Sequence, residues 1–579
     1  MTPFALGLSH EELLKRTDPK HLTVKKMLDI DAVGYKNLKD GDKKALVHLL
    51  HAAYIIEEIN YYLDNPFNIP FRDFLDTEIK KGNDDARLTK ILFDGHKGIF
   101  GVDTQAQPVV LAKGVCDPVG KGFYPADLTP EKFHTILIRM LNDEKINEVR
   151  DILNGRSIVV YEGEDLCAID IVDYFKKDFE IIATELRRAA ETSTNEAFTK
   201  YLMLQADALE TADPMLDALA DKQWASLQDT PLEFTITREN YEDNLTASVL
   251  ENDTLKALLD KHGITPITKD QLGGRVGIVN KKGTDFLLKG ASYVSIMAEN
   301  MPFKDEYSQS FENTGLQTMV DADLVELTGD TAAYRGSIVT AENLPNDDKL
   351  SLTIGGGRRN VYHRQIRMSA SPQALKERQA LLDAVLAPEQ HALYSDEAMH
   401  CFVIGHENAH SLGPSGGTEK LGKYQSAFEE YKADVTSIAM LDILTQKGLY
   451  TRDERDKIIV SYVTQLPRKA KSGVTNAHRT ADVMEINRFM EEGALNVTPD
   501  GRLKVDLDKF VPAAQKILQE IIRMQLDGDI KQAEAYLQRN FVWTPLMNKL
   551  ADKMKQANQT LNGRVESPLA NALIGGRNK

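Results

Sequence analysis

Residues 401–441 of the chain read CFVIGHENAHSLGPSGGTEKLGKYQSAFEEYKADVTSIAML. Positions 406–410 contain the pattern His-Glu-x-x-His, in which two histidines are four residues apart. On a helix this spacing puts both imidazoles on one face, one turn apart, where they can share a zinc ion. Glu407 is then placed beside the metal's open position, where a carboxylate can take a proton from water. The pattern predicts His406 and His410 as zinc ligands and Glu407 as a general base.

The segment FEEYKADVTSIAML at 428–441 predicts a second helix, which supplies the third ligand. If Glu430 faces the metal, Asp434 lies one turn further along the same face and can accept a hydrogen bond from a ligand histidine. Glu429 points about 100° around the helix from Glu430. Glu429 is therefore the less favoured ligand, although it could instead bond a ligand histidine or a substrate amine.

A bare HExxH pattern can also be two solvated histidines on a charged helix face. Here the apolar residues before the motif indicate a helix with a buried face, and residues 411–414, SLGP, provide a helix stop after it. A helix with the Glu-x-x-x-Asp pattern follows about twenty residues later. This combination favours the metal site.

The segments HENAHSLGP and SAFEEYKAD resemble the two zinc motifs of the dipeptidyl peptidase III family of metallopeptidases. The resemblance is strongest to its shorter bacterial members and to the C-terminal region of plant proteins that carry a Nudix domain. Better-known members have one more residue between the two histidines, so this chain has a compact form of the motif. We find no Nudix box in the chain. The resemblance implies a fold of two lobes around a cleft, with zinc-bearing helices facing a small β-structured core.

Two further segments carry the same resemblance. Residues 343–348, NLPNDD, resemble the family segment that lines the substrate cleft, which implies that Asn343 and Asn346 bind substrate. Residues 475–479, TNAHR, resemble the segment whose histidine steadies the tetrahedral intermediate, which implies a catalytic role for His478.

Around the implied substrate site the chain also departs from the family pattern. Glu326-Leu327-Thr328 replaces a Glu-x-Tyr sequence, which leaves Glu326 as a candidate substrate-binding residue. Asp347–Ser351 replaces an arginine and an aromatic or acidic set. These departures leave the dipeptide-releasing register open against an aminopeptidase-like one.

Composition limits the classes of partner. With 70 Lys and Arg against 87 Asp and Glu, the chain has a formal net charge of −17. This argues against nucleic acid, which needs a basic face, whereas a negative cleft would favour a peptide with a cationic N-terminus. The three cysteines are too few and too scattered for a disulfide framework or a thiolate metal site. The sequence leaves the oligomeric state open.

The N-terminus has no basic residues followed by an apolar run, so it does not resemble a secretory signal. No window approaches about eighteen uninterrupted apolar residues, the length expected of a membrane-spanning helix. We therefore expect a cytoplasmic protein without a membrane partner.

Patterning along the chain predicts an α+β protein that is predominantly helical. Thr129 and Pro130 are typical of a helix start, and SIVVY at 157–161 is typical of a short strand. Gly493 and Gly528 are placed as helix terminators. We expect a mixed α/β lobe with N-terminal helices and a small β core at 1–365, and a mainly helical zinc-bearing lobe at 366–579.

The motif predicts a zinc-dependent hydrolase with one zinc ion, and the family resemblance implies that it cleaves peptide bonds near the N-terminus of short peptides in the manner of a dipeptidyl peptidase. Two alternatives remain on the same scaffold: a zinc hydrolase of another substrate, and a catalytically silent, zinc-stabilised binding protein. Glu407 favours the enzyme because a structural zinc site does not need it. Cobalt or manganese could replace zinc, since three N/O ligands do not select strongly among divalent metals.

Overall fold

In a computed structural model of the chain, the structure describes residues 4–103, 107–211, 213–239, 243–309, 317–329, 341–344, 354, 358–368, 372–414, 418–469, 477–557 and 560–575. Helices dominate these ranges, as the sequence pattern predicts. None of the helices there is both long enough and apolar enough to cross a membrane. The helices are α1 (His10–Thr17), α2 (Val33–Lys36), α3 (Asp40–Asp64), α4 (Asn68–Lys80), α5 (Asp84–His96), α6 (Pro130–Asn142), α7 (Ile146–Ile152), α8 (Ile171–Tyr174), α9 (Lys176–Thr192), α10 (Glu196–Leu209), α11 (Pro214–Ala225), α12 (Asn244–Ser248), α13 (Asp253–His262), α14 (Lys281–Ala291), α15 (Val294–Glu299), α16 (Arg364–Arg367), α17 (Pro372–Val385), α18 (Asp396–His410), α19 (Gln425–Ala439), α20 (Leu441–Gln446), α21 (Arg452–Lys469), α22 (Ala477–Glu491), α23 (Leu507–Asp527), α24 (Ile530–Asn540), α25 (Pro545–Ala557) and α26 (Pro568–Ile574).

The strands are short, apart from three that form the centre of the β structure. They are β1 (Ala5–Leu6), β2 (Leu22–Lys26), β3 (Phe100–Val102), β4 (Pro108–Val110), β5 (Ala112–Lys113), β6 (Ser157–Glu162), β7 (Asp165–Asp170), β8 (Leu232–Glu239), β9 (Gln271–Val279), β10 (Gln317–Gly329), β11 (Ala341–Leu344), β12 (Arg358–Tyr362), β13 (Leu495–Val497), β14 (Leu503–Val505) and β15 (Asn562–Glu566). The longest of these are β8, β9 and β10, which are neighbours in one sheet, with β9 between β8 and β10. The predicted α+β, predominantly helical fold class is confirmed.

Local signals in the sequence explain several of these boundaries. Thr129 Oγ1 accepts a hydrogen bond from the Lys132 amide at the start of α6, with Pro130 as the first helical residue. Gly528 ends α23 in the left-handed region at φ 60°, which costs glycine little because it has no Cβ. Gly493, just after α22, has φ 69°. These predicted starts and stops are confirmed, and so is the strand at 157–161, which falls in β6.

The chain divides into two compact units. Unit 1 comprises Met1–Val279, Ala322–Val339 and Thr560–Lys579. At its centre α3 packs against α9 and β9, and α10 and α11 continue the helical layer. The antiparallel strands β8 and β9 pair through this unit, and residues 322–329 of β10 pair antiparallel with β9. Near the chain's end, β15 pairs parallel with β2, which joins the C-terminal segment to the N-terminal one.

Unit 2 comprises Asn280–Asp321 and Thr340–Gln559. Residues 317–321 of β10 pair parallel with β12, and β11 adds antiparallel to β12. The helices of this unit share a large apolar core in which α19 is central, packed against α18, α22 and α23. From Tyr431 to Ala439 every residue of α19 is buried. A charged residue on a helix that is buried on all sides must be paired and hydrogen-bonded, because burial removes its contact with water.

These units differ from the predicted division at residue 365. Residues 280–321 and 341–365 belong to unit 2 by their contacts, and residues 560–579 return to unit 1. The β structure therefore contributes strands to both units. A cut at one sequence position could not anticipate this, because the chain passes between the units several times and β15 finds its partner strand, β2, more than five hundred residues earlier.

A close approach fixes α18 against α19. Gly405 on α18 lies so near α19 that an added Cβ would be 2.3 Å from Ser437 Oγ and 3.2 Å from Ser437 Cβ. The same hydroxyl donates a hydrogen bond of 3.0 Å to the Phe402 carbonyl on α18. The absence of a side chain at Gly405 thus sets the spacing of the two helices.

We expect Gly405→Ala to destabilise the protein by about 1–3 kcal/mol, because the new methyl group overpacks the α18–α19 contact. Chemical denaturation, followed by circular dichroism, measures the change. Gly34→Ala is the control: a Cβ there meets Ile278 Cγ2 at an ordinary 3.5 Å, so this variant should be as stable as the parent or slightly more so.

Adding Ser437→Ala to Gly405→Ala should recover part of the loss, since it removes the nearest atom. A Gly405→Ala variant as stable as the parent would contradict the assigned contact.

Candidate metal centre

The helix α18 begins at a capped N-terminus and carries the HExxH pattern in its last two turns. Ser395 Oγ accepts a hydrogen bond from the Ala398 amide, and Asp396 and Glu397 favour the helix start through their charge. The pattern therefore lies on a regular helix, as predicted. His406 is buried, and His410 is partly exposed at the C-terminal end of the helix.

The two imidazoles converge on one point. His406 Nε2 and His410 Nε2 lie 3.0 Å apart, and the two ring planes are perpendicular. From α19, Glu430 Oε2 comes within 3.4 Å of the first nitrogen and 3.8 Å of the second. Three ligand atoms from two helices thus surround one small volume.

Each histidine is oriented by a carboxylate on its other nitrogen. His406 Nδ1 is 2.6 Å from Asp434 Oδ1, and His410 Nδ1 is 3.0 Å from Glu429 Oε1. A carboxylate that accepts a hydrogen bond from Nδ1–H keeps the proton off Nε2, which is then available to a metal. Asp434 was predicted to accept such a bond, and for Glu429 a ligand histidine was one of two predicted partners, the other being a substrate amine. The geometry assigns Asp434 to His406 and Glu429 to His410.

The charges of this group perturb one another. Burial by itself would lower the pKa of His406, but Asp434 and Glu430 raise it well above the usual histidine value. Burial would raise the pKa of Glu429, but the Lys432 ammonium and His410 lower it to about 2. Burial would likewise raise the pKa of Glu430, but the surrounding histidines lower it below its usual value. The carboxylates are held as anions next to the imidazoles.

These residues fit a divalent cation. Within the described part of the chain, the ligand atoms of His406, His410 and Glu430 all lie within 4.8 Å of one another. Glu430 Oε2 is buried, yet among the described residues it accepts no well-aligned hydrogen bond. A buried carboxylate oxygen without such a bond, facing two Nε2 atoms that approach each other, is a donor set that can hold a divalent metal ion.

The predicted catalytic residues lie close to this group. Glu407 follows His406 on α18 and is half-buried. It is also near the phenol of Tyr362, whose pKa is raised well above its usual value by burial and by the Glu407 charge. His478, at the start of α22, has Nδ1 3.1 Å from Glu430 Oε2 and its ring centroid 6.2 Å from that of His406. The structure therefore brings Glu407 and His478 to the candidate metal centre.

Two of the three predicted substrate-binding residues lie on strands of the β structure. Asn343 lies in β11, where its Cα is paired with that of Asn360. Asn346 lies outside the described residues. Glu326 lies on β10 in unit 1, where its Oε1 accepts hydrogen bonds from Ser567 Oγ at 2.9 Å and from the Leu327 amide at 3.0 Å.

Several buried residues around the centre were not identified from the sequence. Lys432 Nζ is 2.7 Å from Glu429 Oε1. Beyond Asp434, the carboxyl groups of Asp482 and Glu485 on α22 each bring an oxygen within 4.8 Å of the others, and Tyr462 donates a hydrogen bond of 2.6 Å to Glu485. For Lys432, Asp482 and Glu485, the signal in the sequence was a charged residue at helical spacing in an otherwise apolar segment.

Comparison with solved structures identifies the fold. The structure of DPP III from Caldithrix abyssi matches with a TM-score of 0.80 and 22% sequence identity, covering 97% of this chain and 100% of that chain. Dipeptidyl-peptidase III from Corallococcus sp. strain EGB matches with a TM-score of 0.71 and 20% identity, covering 95% of this chain and 96% of that one. The predicted resemblance is confirmed at the level of the fold.

The sequence comparison agrees with this result. Over 98% of its length the chain aligns with an Arabidopsis thaliana protein named Nudix hydrolase 3, at 22% identity and over 75% of that protein. This confirms the predicted likeness to a plant Nudix protein. No protein-family profile matches the chain.

We expect the purified protein to bind one divalent ion, and Glu430→Ala to weaken zinc binding by at least about a hundredfold, because loss of an outer partner alone costs about 10–100-fold. Competition with a fluorescent chelator measures the affinity. Glu397→Ala, on the exposed first turn of the same helix, is the control and should bind zinc like the parent. Equal affinity of the Glu430→Ala variant and the parent would rule out Glu430 as a ligand.

A second prediction concerns Glu326, whose pKa is raised from 4.5 to about 8 by burial and by the charge of Glu57. Because the folded state holds this proton more tightly than the unfolded state, parent stability should fall as pH rises from about 4.5 to about 8. Glu326→Gln removes this ionisation. Its stability relative to the parent should therefore increase by on the order of a few kcal/mol between about pH 5 and about pH 8.5.

Urea denaturation of both proteins across this pH range measures the difference. Glu397→Gln, which neutralises an exposed carboxylate, serves as the control and should show no such trend. A constant difference between Glu326→Gln and the parent would mean that the buried carboxyl is ionised throughout.

Proposed function

We propose that this chain is a zinc-dependent metallopeptidase that cleaves peptide bonds near the N-terminus of short peptides, in the manner of a dipeptidyl peptidase. The observation that carries the proposal is the convergence of His406 Nε2, His410 Nε2 and Glu430 Oε2, with Glu407 adjacent on the same helix. A structural zinc site is usually closed by four protein ligands, whereas three ligands with a neighbouring carboxylate are typical of a hydrolytic one. The fold shared with dipeptidyl peptidase III structures supports the same choice.

His406, His410 and Glu430 would hold the zinc ion. When bound, zinc would supply Lewis-acid polarisation of the scissile carbonyl and of the attacking water. The protein's own contribution begins with Glu407, which takes the proton from the water and passes it to the leaving amine.

His478 would stabilise negative charge on the substrate carbonyl oxygen. Its imidazole is about half exposed, with 53% of the side chain accessible, so it can be reached by a substrate. Nδ1 lies 3.1 Å from Glu430 Oε2, and in the imidazolium form, in which both ring nitrogens carry a proton, Nε2 would donate a hydrogen bond to the developing oxyanion. His478 therefore acts beside the ligand set without being one of its three members.

Substrate recognition is assigned to the segment that contains β11. Asn343 and Asn346 would hydrogen-bond the peptide backbone or its N-terminal amine. An extended peptide could also add to an exposed strand edge, where main-chain hydrogen bonds give affinity without a strict sequence requirement. Glu326 would bind a cationic N-terminus as a carboxylate only after losing its proton, which burial and Glu57 hold up to a pKa of about 8, and after releasing Ser567.

The net charge of −17 is compatible with a substrate that carries a free amino terminus. Selection for this terminus would make the enzyme an exopeptidase. Whether it releases one residue or two depends on the distance from the amine-binding groups to the metal centre. We propose the two-residue register by analogy with the named structures, and a cytoplasmic location for the reaction.

Glu407→Gln should lower kcat for peptide hydrolysis by at least about a hundredfold, because general acid–base catalysis contributes about 10²–10⁴-fold, and should leave zinc content unchanged. Matched peptides with free and acetylated N-termini, followed by mass spectrometry, measure the rate and identify the released fragment. Glu397→Gln, the same change on the exposed first turn of α18, is the control and should hydrolyse peptides like the parent.

Release of dipeptides from free N-termini, and not from acetylated ones, is the expected outcome. Release of single residues would instead establish an aminopeptidase register. A parent protein that binds zinc and hydrolyses none of the peptides would overturn the peptidase proposal and favour a zinc-stabilised binding protein or a hydrolase of another substrate.

A further inference from the structure

Lys432 is a buried cation next to the candidate metal centre. It lies on α19, and only 2% of its side chain is exposed. Its ammonium donates one hydrogen bond of 2.7 Å to Glu429 Oε1 and another of 2.6 Å to the Leu412 carbonyl. Burying an ammonium is costly unless it is paired and hydrogen-bonded, so these two contacts determine where the side chain lies.

Glu429 connects this cation to a ligand. The same Oε1 atom that accepts from Lys432 lies 3.0 Å from His410 Nδ1. Glu429 and Lys432 are three residues apart on α19, a spacing that brings their side chains together on one helix face. The result is a continuous series of polar contacts from Lys432 through Glu429 to His410.

The other contact of Lys432 reaches the end of the HExxH helix. Leu412 lies two residues beyond the end of α18, and its buried carbonyl needs a hydrogen-bond donor, which Lys432 provides. The next residue, Gly413, has φ +92°, and an added Cβ would lie 3.1 Å from Lys432 Cδ. Gly413 thus gives the turn its conformation and leaves room for the lysine stem.

The same turn is also held from a second direction. The Gly413 amide donates a hydrogen bond of 2.8 Å to Gln309 Oε1, and Gln309 Nε2 donates to the Ala298 carbonyl at 3.3 Å. With Lys432 on one side and Gln309 on the other, the segment that follows His410 has little freedom to move.

We propose that Lys432 is a positioning residue for zinc binding: it holds the Glu429 carboxylate against His410 Nδ1, so that His410 presents Nε2 to the metal. This inference rests on the zinc site of the proposed function, since it takes His410 as a zinc ligand, and not on peptide hydrolysis. Lys432 touches neither metal nor substrate and acts through Glu429. Its hydrogen bond to the Leu412 carbonyl also connects the turn after α18 to α19, so that the two helices that carry the ligands are held together there.

The consequence for zinc affinity follows from the role of outer partners. Removal of a carboxylate that orients a ligand histidine typically weakens metal binding by about 10–100-fold. Lys432→Met keeps the apolar stem and removes the ammonium, so that Glu429 loses its nearest cation and becomes free to turn away from His410. We expect zinc affinity to fall by about tenfold, with kcat at saturating zinc reduced much less.

A double-mutant cycle tests whether Lys432 acts through Glu429. Zinc dissociation constants are measured by chelator competition for the parent, Lys432→Met, Glu429→Gln and the double variant. In the Glu429→Gln background, Lys432→Met should change affinity by less than about twofold, because coupled residues are strongly non-additive. Lys432→Arg, which retains a cation within reach of both oxygens, should restore affinity to within about threefold of the parent.

Lys553→Met is the matched control in the same unit. Its ammonium donates to the Asp500 carbonyl at 2.9 Å, in the turn between β13 and β14, and its loss should leave zinc affinity unchanged. Thermal unfolding of each variant in the presence of a chelator separates loss of fold from loss of affinity.

Zinc affinity of Lys432→Met equal to that of the parent would overturn the inference. It would also be overturned if Lys432→Met weakened binding equally in both backgrounds, since the lysine would then serve only to hold the Leu412 carbonyl. These measurements do not depend on peptide hydrolysis. If the parent binds zinc and the cycle shows coupling while no peptide is cleaved, the proposed function fails and the inference about Lys432 stands.

Discussion

The contact between α18 and α19 is the constraint on which the rest of the site depends. One helix supplies His406 and His410, and the other supplies Glu430 together with a carboxylate partner for each histidine. The 3.0 Å between the two Nε2 atoms is set within α18, but the distances from the histidines to the three carboxylates are not set within a single helix. They follow from the spacing of the two helices, which the close approach of Gly405 to Ser437 makes unusually small. Packing of small residues therefore determines the geometry of the metal centre.

This arrangement has an energetic cost that the neighbouring charges offset. The helix α19 is buried along most of its length, yet it carries Glu429, Glu430, Lys432 and Asp434 within six residues. Isolated charges in such a place would be strongly destabilising, but pairing and hydrogen bonding offset the loss of hydration. Each carboxylate here contacts an imidazole, and the lysine contacts a carboxylate and a carbonyl. A bound cation would further balance the negative charge, so metal binding should be coupled to stability.

What the sequence could predict follows from the range of the interactions involved. The ligand spacing, the N-cap of α6 and the glycine stops depend on contacts within about one helical turn, and the structure agrees with each of them. The partner of Glu429 was left open because its direction alone could not distinguish a histidine from a substrate amine. Lys432 was missed because its buried position also depends on the carbonyl of Leu412, twenty positions earlier, which the helical spacing does not place beside it. The assignment of the C-terminal residues to unit 1 was also missed, because it depends on the pairing of β2 with β15, two strands far apart in the sequence.

Fold similarity and the local geometry of the compact motif give different information about this chain. Structures with about one fifth of their residues identical to this chain share its fold, but identity that low does not determine which peptide is accepted. The metal centre can be judged from this chain alone. With four residues from one histidine to the next, a regular helix brings the two Nε2 atoms to 3.0 Å, and no irregular turn is needed to converge them on Glu430. The longer motif of better-known relatives requires one more residue to be accommodated on the same face. The three ligand atoms therefore converge through regular helix geometry, whereas the proposed substrate contacts belong to the segment that contains β11.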